Sequence, residues 1–194
     1  MVEVLVILQI YREPLRPASE QAYDAIEAEM ARVAAQLGCP NPYLGAESLG
    51  DPKEVWWFNG YETTEKQQEV YAAYAKNTRL MAALQELSVR KQGLTFAPIE
   101  VFASYRPELS ASPAWALGEG RLLIVTMTTN PSHVDGTVFE APDGTRFIFR
   151  SAQTREQADA LLEDADPDTR ILAVRPSWSF PALEWVTADP DFWT

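Results

Sequence analysis

The stretch Val55-Trp56-Trp57-Phe58-Asn59-Gly60-Tyr61 is apolar on both of its faces. Side chains of a strand alternate between the two sides of a sheet. Val55, Trp57, Asn59 and Tyr61 therefore share one side, and Trp56 and Phe58 share the other. A sheet with one wet face carries a polar residue at every second position. This strand does not, so both faces are covered. In a chain of 194 residues helices cover one face. A second sheet, from the rest of the chain or from a second copy, covers the other.

The flanking sequence supplies those helices. Val2 to Ile10 is an apolar run broken only by Glu3 and Gln9, which predicts a doubly covered strand ended by Pro14 and Pro17. Tyr11 and Arg12 end it, and are read as exposed surface or as the mouth of a pocket. Ser19 is a helix cap, and Tyr23, Ile26, Met30, Val33 and Leu37 recur at helical spacing on one stripe. Glu20, Asp24, Glu27 and Glu29 on this helix read as a solvated face. Gly38 and Pro40 stop it. A short strand spans Pro42 to Ser48, and Gly50-Asp51-Pro52-Lys53 is a turn. After the Trp strand, Thr63 and Thr64 can both cap a helix, and Thr64 with Gln67 has the spacing of a capping box. The helix that follows carries Val70, Tyr74, Asn77, Met81 and Leu84 and ends at Gly93. Phe96 to Tyr105 is the next strand. The order β-α-β-β-α-β is the ferredoxin-like motif.

Residues 107–120, with Pro107, Pro113, Gly118 and Gly120, read as a linker. Residues 121–194 then run through a similar order in shortened form, either a degenerate internal repeat or the common hairpin-then-helix motif. Leu122 to Met127 is a strand, and Thr137 to Ala141 and Thr145 to Ser151 form a hairpin about Pro142-Asp143-Gly144. A short helix bears Ala158, Leu161 and Leu162, and Ile171 to Val174 closes the series. The expected class is α+β: a ferredoxin-like βαββαβ domain over residues 1–106, and a shorter βββαβ half, read either as its repeat or as an independent motif, with an aromatic tail. That tail (Trp178, Phe180, Trp185, Phe192, Trp193) reads as interdomain or intersubunit packing.

Composition excludes several functions. The net charge is −12, with 16 Lys and Arg against 28 Asp and Glu, and nucleic-acid binding needs clustered cations. Cys39 is the only cysteine, so no intrachain disulfide and no cysteine-rich zinc site forms. No apolar run reaches the roughly 20 residues of a membrane span, and no signal peptide is recognisable. The expectation is a cytoplasmic protein with no nucleic-acid or membrane partner. No metal motif and no phosphate loop occurs, so no cofactor is expected.

The first ~105 residues resemble the dimeric α/β-barrel superfamily, and within it the antibiotic-biosynthesis-monooxygenase-like proteins. The likeness rests on the element order, the apolar Val2–Ile10 strand, and Trp57, Tyr61 and Thr63 leading into a long interrupted helix. It implies two ferredoxin-like sheets packed face to face, by dimerisation or within one chain, with a small-molecule pocket between each sheet and its helices. Members include cofactor-free monooxygenases of phenols and quinols, haem-degrading enzymes and proteins without catalysis. Many carry a His on the second helix. This chain has Tyr71 and Tyr74 there, which disfavours haem chemistry.

Candidate ligand contacts are Trp57, Asn59, Tyr61, Tyr74 and Asn77. Trp57 offers a stacking wall and the amides offer hydrogen bonds to a substrate oxygen. Four of them also have a packing reading: Trp57 and Tyr74 as core, Asn59 bonded to protein, Asn77 as cap of a second helical segment. His133, the only histidine, lies in Asn130-Pro131-Ser132-His133-Val134-Asp135-Gly136 and is a candidate base or a solvated loop residue. The function expected is small-molecule binding without assigned catalysis; the alternative is a cofactor-independent monooxygenase of a small phenol or quinol.

Overall fold

The structure, a computed structural model, describes residues 6–114, 117, 120–129, 135–162 and 168–193. Its elements are β1 (Ile7–Pro14), α1 (Glu20–Leu37), β2 (Leu44–Ser48), β3 (Glu54–Tyr61), α2 (Thr64–Lys76), α3 (Thr78–Lys91) and β4 (Ile99–Tyr105), then β5 (Leu122–Thr128), β6 (Thr137–Glu140), β7 (Arg146–Ala152), α4 (Arg155–Ala160) and β8 (Thr169–Val174). A 3-10 turn at Pro176–Trp178 leads to α5 (Leu183–Ala188) and α6 (Pro190–Trp193).

The eight strands close into one barrel in the order β1-β3-β2-β8-β5-β7-β6-β4. Every neighbouring pair is antiparallel. Within the first four strands the order is β4-β1-β3-β2, and within the last four it is β8-β5-β7-β6. Numbered within each set, both read 4-1-3-2. Two seams join the sets: Ala46↔Val174 to Ser48↔Leu172 between β2 and β8, and Ser104↔Glu140 and Tyr105↔Phe139 between β4 and β6. The second sheet is thus supplied by the same chain, which resolves the choice between one chain and two.

The alternation of the Trp strand sets the layers. Trp56 and Phe58 enter the barrel with Leu8, Ile10, Leu44, Leu123, Val125, Phe147, Phe149 and Leu172. Phe58 meets Phe149 edge-on at 5.5 Å between ring centroids, and Phe149 meets Phe139 at 5.9 Å. The interior is a packed aromatic core. Val55 and Trp57 face outward, beneath α1, with Tyr23 and Trp178. A smaller cluster, Ile124, Ala152, Ala158 and Ile171, lies under α4.

Several expectations shift. The described part of the first strand runs on to Pro14 rather than stopping at Ile10. Tyr11 and Arg12 are therefore strand residues on opposite faces, not exposed ends. The Arg12 guanidinium lies 4.4 Å from the Trp56 ring centroid and pairs with Glu54 at 2.9 Å. Ser19 does not cap α1 with its side chain: its hydroxyl donates to the Arg16 and Leu94 carbonyls. Gly38 does end α1, at φ 79°, a conformation that suits a residue without Cβ. The buried face of α1 is Tyr23, Ile26, Glu27, Ala31 and Ala34, so Glu27 is not on the solvated side. The long helix is two, broken at Asn77, and α2 buries no residue; Met81 is 43% exposed. The linker joins the core through Ala114 and Leu117. No helix is long and apolar enough to cross a membrane among the described residues.

Candidate functional site

The outward face of β1 and β3 forms the floor of a cleft of about 230 Å³. Gln9, Tyr11 and Glu13 alternate on β1, and Trp57 and Asn59 on β3. Register places Gln9 opposite Asn59 and Tyr11 opposite Trp57, so the period-two pattern gathers them on one side. The roof comes from three helices. Glu27, Met30 and Ala34 descend from α1 at spacings of three and four, Tyr74 from α2, and Leu84 and Lys91 from α3. Spacings of seven, three and four keep such residues on one helical face.

One end of the cleft is aromatic. Trp57 has Tyr43 edge-on at 5.9 Å and Trp178 at 6.2 Å. Trp178 also packs on Tyr23 at 5.8 Å and donates its Nε1–H to Asp24 Oδ1 at 2.7 Å. The segment after β8 is pinned by Arg175, which pairs with Asp24 and with Glu47. Tyr43 and Phe180 exchange backbone hydrogen bonds of 2.8 and 3.1 Å. The C-terminal segment thus fixes two walls of a cleft built by residues of the first part.

A charged, buried set adjoins these rings. Glu13 Oε2 accepts from Tyr23 OH at 2.5 Å, Trp57 Nε1 at 3.1 Å and Lys91 Nζ at 2.8 Å. Lys91 Nζ also donates to Glu27 Oε1 at 2.7 Å. The side chains of Glu13, Glu27 and Lys91 are 4%, 3% and 14% exposed. Burial raises the Glu27 carboxyl above its ordinary range, with Lys91 pulling the other way. For Lys91, burial lowers the ammonium, but the charges of Glu27 and Glu13 outweigh it and the net direction is up. Burial also raises Tyr11, Tyr23, Tyr43 and Tyr74, so these phenols stay protonated and neutral at neutral pH.

Three of the residues expected at a site, Trp57, Asn59 and Tyr74, line this cleft together. Asn59 Oδ1 accepts from Asn41 Nδ2 at 3.1 Å. Tyr74 OH lies 3.2 Å from Cys39 Sγ, which donates to the Asn41 carbonyl. Tyr61 sits apart: it is 4% exposed and its hydroxyl donates to Gln9 Oε1 at 3.1 Å, so it reaches the cleft only through Gln9. Asn77 is occupied at the helix break. Its Oδ1 accepts from Leu80 N at 3.2 Å and its Nδ2 donates to the Leu37 carbonyl at 2.7 Å, tying α1 to α3. His133 lies outside the described residues. Among the described residues no group of acidic, His and Cys side chains has the arrangement of a metal site.

Glu13, Glu27 and Lys91 escaped the sequence reading. Glu13 continues the Gln9-Tyr11 alternation once the strand is carried past Ile10. Glu27 stands four residues from Tyr23 and from Ala31, on a stripe adjacent to the one read as buried. Lys91 carries no local signal, because its partners lie 64 and 78 residues away.

No family model matches the sequence, and no curated protein does. Solved structures do match. A protein from Fusobacterium nucleatum subsp. nucleatum, provisionally named a monooxygenase, superposes with a TM-score of 0.51 at 10% identity, over 89% of this chain and 93% of its own. A protein provisionally named a chlorite dismutase superposes with a TM-score of 0.52 at 7% identity, over 90% and 96%. The chain shares their fold. Both superpositions run across the two sets of strands, so the likeness belongs to the whole barrel.

Proposed function

We propose that this chain is a small-molecule-binding α/β-barrel protein with its ligand in the cleft between the β1–β3 face and α1, α2 and α3. The observation that carries the reading is convergence: a Trp57 wall, the Asn59 amide and a buried Glu13–Lys91–Glu27 set line one partly apolar cavity. Small-molecule sites combine apolar walls with a few placed polar groups in this way. A cavity of about 150 Å³ admits benzene, so about 230 Å³ suits a single substituted ring. The fold reading behind it is the dimeric α/β-barrel superfamily, with residues 1–106 and 121–194 as two related ferredoxin-like halves. The matching 4-1-3-2 strand orders support duplication. Since the barrel is closed in one chain, the homodimer expected from the superfamily is not needed to cover the sheet.

The test is ligand-observed NMR with a panel of single-ring phenols, hydroquinones and their methyl ethers. Saturation transfer is expected for some members and is lost in Leu84→Trp, which fills the cleft from α3. Transfer that survives this substitution moves the site elsewhere.

A second reading is cofactor-independent oxidation of a phenol or quinol by O₂. It is favoured by a carboxylate of raised proton affinity beside an aromatic wall, and by the fold shared with a provisionally named monooxygenase. Oxygen uptake with the bound hydroquinones, abolished by Leu84→Trp, is the expected result. Binding without uptake leaves the first reading alone.

A further inference from the structure

A second cavity, of about 300 Å³, lies where the C-terminal segment meets the first part of the chain. Its apolar walls are Pro40 and Pro42 before β2, Tyr61 at the end of β3, Val70 of α2, and Ala182 just before α5. It shares no lining residue with the cleft. Tyr61 presents its ring here, since its hydroxyl is held by Gln9. Two residues of the lining carry a buried polar atom without a hydrogen-bond partner: Asn41 Oδ1 and Trp185 Nε1. Asn41 is 5% exposed. Its Nδ2 donates to the Pro42 carbonyl at 3.0 Å and to Asn59 Oδ1 at 3.1 Å. A backbone carbonyl only accepts, so the amide is held with its nitrogen toward Pro42, and the oxygen is the atom left over. The Trp185 ring packs against the barrel core, and its N–H is a donor only. One unmet acceptor and one unmet donor thus border the same cavity. Buried polar groups without partners are few in a folded protein, and each calls for an explanation. Waters can satisfy both atoms, but each fills only about 30 Å³ and gains nothing from the apolar walls. The charged residues of the lining, Glu62 and Lys66, are exposed and opposite in sign, and Lys66 already pairs with Glu69. The cavity therefore selects for no net charge.

We infer that this cavity is a second ligand site, for a small neutral molecule bearing a primary or secondary amide. The ligand carbonyl accepts from Trp185 Nε1–H and its N–H donates to Asn41 Oδ1. Its apolar body lies against Pro40, Pro42, Val70 and the Tyr61 ring. Apolar walls with a few placed polar groups are the ordinary make-up of such a site. The two protein atoms belong to different segments, the loop before β2 and α5, so a group with donor and acceptor on separate atoms matches them better than a hydroxyl. A carboxylate also accepts from Trp185, but it brings a second acceptor to Asn41 and a net charge. A tertiary amide accepts and has no N–H to give. Both protein atoms are closed off from solvent, so the indole and the Asn41 side chain turn toward the ligand as it enters. The bonds they form replace none that the free protein makes, which is the source of selectivity. The inference does not rest on the ligand of the cleft.

The experiment titrates the full chain with benzamide, N,N-dimethylbenzamide and sodium benzoate and follows the indole N–H peaks in proton–nitrogen correlation spectra. The Trp185 peak is identified by its loss in Trp185→Phe. The Trp57 peak, which reports on the cleft, is identified by its loss in Trp57→Phe. Benzamide is expected to move the Trp185 peak saturably. N,N-dimethylbenzamide and benzoate should bind there about tenfold more weakly, the usual scale for one hydrogen bond lost. Trp185→Phe keeps a ring in place, and should weaken benzamide by a similar factor when followed at the Asn41 backbone peak. Val70→Trp, which fills the cavity from a helix that buries no residue, should abolish the Trp185 shift. A Trp185 peak that benzamide does not move overturns the inference, as does a shift that survives Val70→Trp. Benzoate or the tertiary amide binding as tightly as benzamide overturns the chemistry assigned to the ligand. A shift at Trp57 alone places the amide in the cleft, which overturns the second site and leaves the first intact.

Discussion

Lys91 holds two buried carboxylates together, and its removal leaves them facing each other without a counter-charge. Breaking a buried pair by deleting one partner costs about 3–5 kcal/mol. Lys91→Met is therefore expected to lower stability by about that amount at neutral pH. In the wild-type chain, Lys91 is raised above 10.5 in the fold, so its contribution is complete below the unfolded value and is lost as pH rises through the folded one. Glu27 is raised above 4.5, so stability falls as pH climbs from there through its folded value. Loss of Lys91 removes the charge that restrains the Glu27 shift, and the variant should regain part of its deficit in mild acid. Urea midpoints at mildly acidic and mildly alkaline pH check this; an equal deficit at both would mean that Lys91 acts through packing alone. At Gly45 the constraint is steric. A Cβ there would lie 2.7 Å from Trp57 Cζ3, so Gly45→Ala must push the indole toward the cleft. Overpacking of this kind costs about 1–3 kcal/mol, and near-ultraviolet circular dichroism should report the moved ring.

Among the elements, the turn at Pro176–Trp178 does more than follow a strand. Trp178 is 2% exposed and fills the space between α1 and the back of Trp57. Trp178→Ala is expected to cost about 3–5 kcal/mol, the usual range for emptying a buried aromatic site. It should also weaken ligand binding, because Trp57 loses one of the two rings that hold it. A thermal melt and a binding isotherm separate the two effects; weakened stability with unchanged affinity would show that Tyr43 alone fixes the wall. The break at Asn77 has a similar logic. The Asn77 side chain satisfies Leu80 N at the new helix start and ties that start to α1 through the Leu37 carbonyl.

On the scale of the whole molecule, the interior of the barrel is shared equally by both sets of strands. Trp56, Phe58, Leu8 and Ile10 of the first set are covered by Phe147, Phe149, Val125 and Leu172 of the second. A fragment ending at residue 106 would expose that face. It is expected to self-associate or precipitate, since a large exposed apolar sheet demands a partner, whereas in the full chain the second set of strands covers that face. Light scattering of the two at equal concentration tests this, and a monomeric, soluble fragment would show that the first part covers its own sheet.

Strand identity and the division of faces in Val55 to Tyr61 were legible in the sequence because a strand's period is two and neighbouring residues alone set it. That Trp57 and Asn59 share a side, and that Trp56 faces a second sheet, followed from that period. The end of α1 was legible at Gly38 for an equally local reason, a left-handed residue that favours glycine. Which way α1 turns about its axis was not. Helical periodicity admits two adjacent stripes, and only packing against β3 chose the one that buries Glu27. Nor could the sequence say whether the second sheet came from this chain, since apolar faces specify burial and not the source of the cover. The charged set of the cleft was decided entirely by tertiary structure. Glu13, Glu27 and Lys91 are far apart along the chain, each is an ordinary surface residue by composition, and only the fold brings their charges within hydrogen-bonding distance away from water.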